Sequence, residues 1–444
     1  LKGLTARIQF WLLAIASVLL LVAPVRLGDL AGYDDAVYAH IAKAIVRSGD
    51  WLNIQSNGFP ALEHPPGFVW MQAALFSLFG FSDFLARLPS AVCGVGTVLL
   101  VFWLARRLLD ERAAVIAMLV MLATPYFIKY TSHGMTDVPF TFLFLAAVCA
   151  WVGERYVLVA IVTALALLTR GIVGFAVPLT LLLLWRGWKP ALAIAAACIP
   201  IAAWYANQVN TYGDFFWTVQ TSFLSDKIGG TVSGIRRFTG VFEYAWMLLQ
   251  SYWPWLPFLI GGLWIRDKRL RPLYIWCAVM CLACAVGGSR VLRYLLPAYP
   301  AFSIFAAVGL MKWVPDRYLR VGVKVLAPTA VIIGLGIAMF PPVSLHAEEI
   351  KPIAAAVKSV TGETERFAFY DAGQPRFDET GQIQWYGERV MWILTDAAAF
   401  ENALAEPIAK VWVVDAATFD RYFAARAGVK IVARSGHLVC LQLT

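Results

Sequence analysis

Charge is what this sequence has least of. Only 15% of its 444 residues are Asp, Glu, Lys or Arg, while 60% are hydrophobic and the mean hydropathy is +0.68. A soluble domain carries about 25% charged and about 45–50% apolar residues, so a soluble globular protein is excluded. The seven cysteines, at 93, 149, 198, 277, 281, 284 and 440, fall almost entirely in apolar segments, which gives a disulfide framework no support. The run "CAVMCLAC" sets Cys277, Cys281 and Cys284 on one helical face, yet no His or carboxylate lies alongside, so they read as small packing residues. There is no Gly-rich phosphate loop, internal repeat or low-complexity tract, and a nucleotide-binding fold is not expected. The net charge of +9 is accounted for by cytoplasmic loops rich in Lys and Arg, without any nucleic-acid partner.

What the sequence does have is long apolar runs and aromatics, with 18 Trp and 28 Phe suited to many bilayer interfaces. A crossing needs about 20 apolar residues, and candidates lie near 8–26, 87–107, 112–130, 138–153, 156–169, 171–186, 190–206, 246–265, 273–288, 295–312 and 322–341. The expectation is a polytopic α-helical membrane protein of about 11 transmembrane helices. The basic stretches "RRLLDER", "RDKRLR" and the one holding Lys312, Arg317, Arg320 and Lys324 then fall on one side, the cytoplasmic one, with the N-terminus. The first span is expected to be retained rather than cleaved. "PPGFVWMQAALFSLFG" reads as a helix lying on the membrane surface. "YVLVAIVTALALLTRGIVGFAVPLTLLLLW" reads as a hairpin turning at Arg170 and Gly171. Residues 1–342 are thus expected to form the membrane domain, with outer loops near 27–86 and 207–245.

Beyond Pro342 polar residues return. "FAFYD", "VMWIL", "KVWVVD", "VKIVA" and "HLVCLQL" read as strands, with helices around 347–360, 396–405 and 417–426. Alternating strand and helix predicts a small α/β domain over 343–444. With an odd number of crossings it is extracytoplasmic.

Carboxylates concentrate in the outer loops: Asp29, Asp34, Asp35, Asp50, Glu63, Asp83 and Asp137, with none at the centres of the predicted spans. An ion-coupled transporter keeps ionisable groups inside the bilayer, at a cost of about 2.5–3.5 kcal/mol each; here the chemistry is expected at the outer rim. In "GYDDAVYAHIAKAIVRSGDW" an Asp pair opens an amphipathic helix. One of Asp34 and Asp35 is expected to cap it, leaving the other for a reactive or binding role beside Tyr38. "PALEHPPGF" holds Glu63 and His64 on a proline-stiffened segment that can bind a metal or a phosphate, or simply enter a surface helix. "KYTSHGMTDVPF" brings His133 and Asp137, the latter a possible cap. Arg170 either snorkels or binds an anion. "GSRVLRYLLPAYP" places Arg290, Arg293 and Tyr294 at the outer end of a span, where an anionic headgroup would explain the cations.

Taken in order, "YDDAVYAHIAKAIVRSGDW", "EHPPGF", "FLARLPSAVCGVGTVLLVFWLARRLL", "HGMTDVPFTF", "LTRGIVG" and "RYLLPAYP" resemble the GT-C glycosyltransferases of the protein mannosyltransferase and lipid A aminoarabinose transferase superfamily. The resemblance is strongest from Asp34 to Pro178 and returns at Arg293. It implies an enzyme, a hexosyl or pentosyl transferase that moves a sugar with inversion from a polyprenyl phosphate to an acceptor on the outer face of the inner membrane. Lipid A or other lipopolysaccharide, another glycan, a lipid or a protein can be that acceptor. Carried over residue by residue, it gives Asp34 the role of base with Asp35 second, and assigns substrate contacts to Tyr38, Glu63, His64, Asp137, Arg170, Arg293 and Tyr294. Arg236 and Arg237 stand behind these as further cations. It also allows a divalent metal ion at Glu63 and His64. The chain departs from the pattern at His64 and Arg170, where Lys is common. The rival reading, a transporter or flippase of a lipid-linked substrate, requires a polar path through the spans.

Overall fold

The computed structural model describes residues 2–32, 34–184, 187–228, 236–287, 291–340, 346–372 and 377–444. It divides into two compact units: Leu1–Arg26, Leu62–Met71 and Arg87–Pro342 form the first, and Leu27–Ala61, Gln72–Ala86 and Val343–Thr444 the second.

The first unit is helical. Among the described residues, six helices are long and apolar enough to cross a membrane, or seven if the pair Glu111–Leu122 and Pro125–Thr131, bent by 65° at Thr124, counts as one. Eleven were expected. Several expected crossings are shorter helices: Asp137–Val152 has 16 residues, Arg271–Val286 has 16 and Leu256–Trp264 has nine. At a rise of about 1.5 Å per residue, 16 residues reach only about 24 Å. "PPGFVWMQAALFSLFG" forms the 13-residue helix Gly67–Phe79. The segment expected as a long outer loop is also mostly helical, since Trp188–Tyr212, Asp214–Ile228 and Arg236–Ser251 run through it.

Helices of similar apolar content take different surroundings. Glu111–Leu122 opens on Asp110, whose Oδ1 accepts the Ala113 N–H at 2.8 Å. Every residue from Ala113 to Leu122 is buried, as for a helix that is apolar all round and enclosed by others. In contrast, Asp316–Met339 leaves Ile332 and Met339 68% exposed. The core around them stacks Phe144 on Trp276, with centroids 4.9 Å apart, and buries Phe127, Phe140, Tyr299 and Phe305.

In the second unit two short strands, β1 (Gln55–Ser56) and β2 (Phe59–Pro60), pair antiparallel. All five strands expected near the C-terminus are present: β3 (Phe367–Tyr370), β4 (Met391–Leu394), β5 (Val411–Asp415), β6 (Val429–Ser435) and β7 (Leu438–Leu443). They form one sheet in the order β4-β3-β5-β7-β6, with β3 parallel to β4 and β5, and β7 antiparallel to β5 and β6. Alternation along the strands builds two cores. Phe367, Phe369, Val411, Val413 and Cys440 pack on one face with Ile350, Ile353 and Val357 of helix Ile350–Val360, while Ala368, Trp412, Val414 and Leu441 pack on the other with Phe400, Phe419 and Phe423. The helices Ala397–Ala405 and Ala416–Tyr422 are also as expected, whereas Phe377–Gly387 was not anticipated.

Residues 27–61 and 72–86, assigned by sequence to the membrane domain, belong to this second unit for specific reasons. Asn57 exchanges two hydrogen bonds of 2.9 Å with the Met391 backbone, standing in for a neighbouring strand. Asp83 accepts from Trp385 Nε1 at 2.7 Å and from the Tyr386 hydroxyl at 2.8 Å. Phe76 stacks on Trp385. Asp29 accepts from the Ala347 N–H at 3.1 Å and pairs with Lys351.

Helix Asp34–Ser48 adds a charged cluster to the same unit. Burial would raise the Glu388 carboxyl, but ion pairs with Lys358 at 2.9 Å, Lys43 at 3.0 Å and Arg47 at 3.1 Å overrule it and hold the pKa at about 2. One turn away, burial, assisted by Lys43 and Arg47, holds the His40 imidazole down at about 4. The unfolded chain therefore takes up a proton near pH 6.5 that the folded chain refuses until about pH 4. Stability should fall as pH drops from 6.5 to 4.5, by roughly 2–3 kcal/mol. Thermal melting in detergent should show this slope, and His40→Gln should flatten it; an equal slope in the variant would place the sensitivity elsewhere.

Candidate functional site

Helix Asp137–Val152 begins in the sequence "MTDVPF", and the N-cap is Thr136 rather than Asp137. Asp137 is therefore not the cap, and it is 3% exposed. A carboxylate so buried needs a cation, which Arg170 supplies: its Nη2 donates to Asp137 Oδ1 at 2.8 Å and its Nη1 donates to the Thr136 hydroxyl. With its side chain 11% exposed, Arg170 does not snorkel. Its guanidinium also lies 5.5 Å from the centre of the Tyr294 ring, a cation–π distance.

Arg170 is placed by how its helix ends. Tyr156–Arg170 stops at Gly171, whose φ of 54° a side chain rarely tolerates, and the chain continues as the 3-10 turn Gly171–Phe175. A Cβ at Gly171 would also lie 3.0 Å from Pro65 Cδ, and one at Gly67 would lie 2.7 Å from the Leu168 carbonyl oxygen. The "EHPPGF" segment is thus seated directly on the end of the helix that carries Arg170. It is held from another direction by helix Asp214–Ile228, where Gln220 Nε2 donates to the Leu62 carbonyl and Phe223 meets the His64 ring edge to face at 4.9 Å.

Within the first unit, then, the "EHPPGF", "MTD", "LTRG" and "LRY" motifs gather at one locus. Tyr294 and Arg293 arrive on the 3-10 segment Leu292–Ala298, with the Arg293 guanidinium 5.9 Å from the Tyr294 ring. Arg290 lies outside the described residues, as do the side chains of Arg236 and Arg237. Sequence reading missed Thr136, Gln220 and Phe223. The hydroxyl preceding Asp137 was a legible signal for the first, whereas nothing local marks a glutamine or phenylalanine as a partner of a segment over 150 residues away.

Asp34, Asp35 and Tyr38 lie in the second unit, on helix Asp34–Ser48. That helix begins at Asp34, so both carboxylates occupy its first turn, where they oppose the positive end of the helix dipole. Asp35 is 2% exposed and its Oδ2 accepts the Ala31 N–H at 3.0 Å. Asp34 is the more exposed of the two, and Tyr38 is buried.

Among the described residues, Glu63 and His64 do not complete a metal site. Glu63 is exposed, the His64 ring packs against Phe223, and among the described residues no third His, Cys or carboxylate joins them in a ligand group. Cys277, Cys281 and Cys284 likewise belong to no such group.

Residues 63–209 match the dolichyl-phosphate-mannose-protein mannosyltransferase family, a stretch that holds Glu63, His64, Asp137 and Arg170. The fold superposes on the crystal structure of ArnT from Cupriavidus metallidurans bound to undecaprenyl phosphate with a TM-score of 0.75 at 18% identity, covering 97% of both chains. It superposes on the archaeal oligosaccharyltransferase AglB from Archaeoglobus fulgidus, in complex with an inhibitory peptide and a dolichol-phosphate, with a TM-score of 0.58 at 12% identity, covering 92% of this chain and 69% of that one. The chain is a membrane protein of the GT-C fold with a small C-terminal sheet domain. Among sequences, the undecaprenyl phosphate-alpha-4-amino-4-deoxy-L-arabinose arabinosyl transferase of Edwardsiella ictaluri is 27% identical over 326 residues, 66% of this chain. The enzyme of the same name from Pseudomonas aeruginosa is 26% identical over 374 residues, 75% of this chain. The matches span 58% and 64% of those two relatives, less than two thirds of their length.

Proposed function

We propose that this protein is an inverting glycosyltransferase of the inner membrane that moves a hexosyl or pentosyl group from a polyprenyl phosphate to an envelope acceptor on the extracytoplasmic face. The observation that carries this reading is the Arg170 guanidinium, buried and aimed by Asp137, Thr136 and Tyr294, within the stretch that matches the mannosyltransferase family. An oriented cation of this kind suits a lipid-tethered phosphate, whose negative charge must be held as it leaves the anomeric carbon.

In the proposed reaction the acceptor hydroxyl attacks the anomeric carbon, the bond from that carbon to the phosphate oxygen breaks, and the proton passes to the Asp34 carboxylate. The products are the glycosylated acceptor and the free polyprenyl phosphate. Arg170 and Arg293 stabilise the departing phosphate, while Glu63, His64, Tyr38 and Tyr294 position the sugar. No step passes through a metal at Glu63 and His64. The unit holding Leu27–Ala61 and Val343–Thr444 faces outside and the N-terminus faces the cytoplasm, as the basic loops indicate.

Mass spectrometry of envelope lipids and glycans from cells with and without the gene tests the reading. A species larger by one hexose or pentose residue should be lost on deletion and restored by complementation, and an identical profile in both cells would overturn it.

A further inference from the structure

Three side chains of metal-ligating type, from separate elements, meet in the C-terminal sheet domain, and none of them belongs to the motifs used above. Asp371 follows β3, Glu379 lies in the first turn of helix Phe377–Gly387, and His437 sits in the turn between β6 and β7. One ligand atom from each lies within 4.8 Å of the others. His437 Nε2 is 3.2 Å from Glu379 Oε2 and 3.9 Å from Asp371 Oδ2. Donors that bind one ion at about 2.0–2.2 Å stand roughly 3–4.4 Å from one another, and both separations from His437 fall in that range.

The surroundings point the same way. Asp371 is 7% and Glu379 9% exposed. Two carboxylates this close and this buried repel one another, and a divalent ion answers both charges at once. His437 is partly exposed, which leaves a path for an ion to enter. The trio also lies where β3 and β5, which are parallel, end, and where β7 begins beside Asp415. Open α/β sheets hold their ligands outside the carboxyl ends of parallel strands. Asp415 steadies that edge, since its Oδ2 accepts the Ala372 N–H at 3.0 Å next to Asp371.

We propose that Asp371, Glu379 and His437 form a divalent metal site in the C-terminal domain. One imidazole and two carboxylates make a nitrogen and oxygen donor set suited to Zn²⁺ or Mn²⁺ and without the thiolates that select softer ions. Three protein ligands leave at least one position for water or an anionic group. The ion ties the end of β3, the following helix and the β6–β7 turn to one another.

The test uses the full chain in detergent, stripped with a chelator and titrated with Zn²⁺ alone or Mn²⁺ alone, reading bound metal by equilibrium dialysis and stability by thermal melting. The site predicts one saturable ion per chain at micromolar concentration and a rise in Tm on binding. His437→Gln and Glu379→Gln should each weaken binding at least tenfold and abolish the rise, while their metal-free melting shows that they fold. Glu63→Gln, a control at the pair that lacks a third ligand, should bind as the unmodified protein does. Absence of saturable uptake by the unmodified chain, or full uptake by His437→Gln, would overturn the proposal. So would loss of uptake in Glu63→Gln alone.

Discussion

Asp34→Asn is expected to leave the protein folded and membrane-inserted while lowering turnover by about 10²–10⁴-fold, the usual worth of a positioned general base. The expectation rests on the difference between two adjacent carboxylates. Asp35 is 2% exposed and fastened to the Ala31 N–H, so its oxygens serve the start of the helix, and its replacement should be felt first as lost stability. Asp34 is more exposed at the same helix terminus, and an asparagine there keeps shape and polarity while losing the ability to take a proton. The check is single-turnover transfer from a labelled polyprenyl phosphate sugar, run beside a melting curve. Near-normal turnover by Asp34→Asn would move the base to Asp35 or Asp137.

The second large effect belongs to the buried ion pair. Arg170→Met strands the Asp137 carboxylate, 3% exposed, without its cation. Removing one partner of a buried pair typically costs about 3–5 kcal/mol, more than the intact pair contributes relative to an apolar replacement. The single variant should therefore melt far below the unmodified protein, and the double variant Arg170→Met with Asp137→Leu should recover much of the loss. Both should be inactive, because the oriented guanidinium is gone. A single-variant loss under about 1 kcal/mol would show that the pair is as well solvated as a surface salt bridge.

These two cases show where sequence reading succeeded and where it stopped. The motifs around Glu63, Asp137, Arg170 and Tyr294 were legible one at a time because each breaks an apolar background with a polar or conformationally special residue. Their mutual arrangement was not: Gly171 was read only as the turn of a hairpin, and the approach of Pro65 to it is a tertiary contact. For Asp137 and Arg170 the local sequence offered a cap and a snorkelling cation beside a binding role, and could not choose between them. Their pairing across 33 positions is a tertiary fact. The metal-like trio escaped notice because Asp371, Glu379 and His437 have no characteristic spacing, and only strand order makes them neighbours.

By itself the sequence determined the solvent this protein lives in, the five strands of its C-terminal sheet and the positions at which polar chemistry interrupts apolar runs. Those follow from composition and short-range periodicity, which depend only on neighbours along the chain. Only the tertiary structure decided that Glu111–Leu122 is enclosed while Asp316–Met339 presents an apolar face, since a helix apolar all round suits either place. It also decided that residues 27–61 join the C-terminal domain, through Asn57 on Met391 and Lys43 on Glu388. Such contacts form between residues over 300 positions apart, and no local pattern encodes which distant partner will arrive.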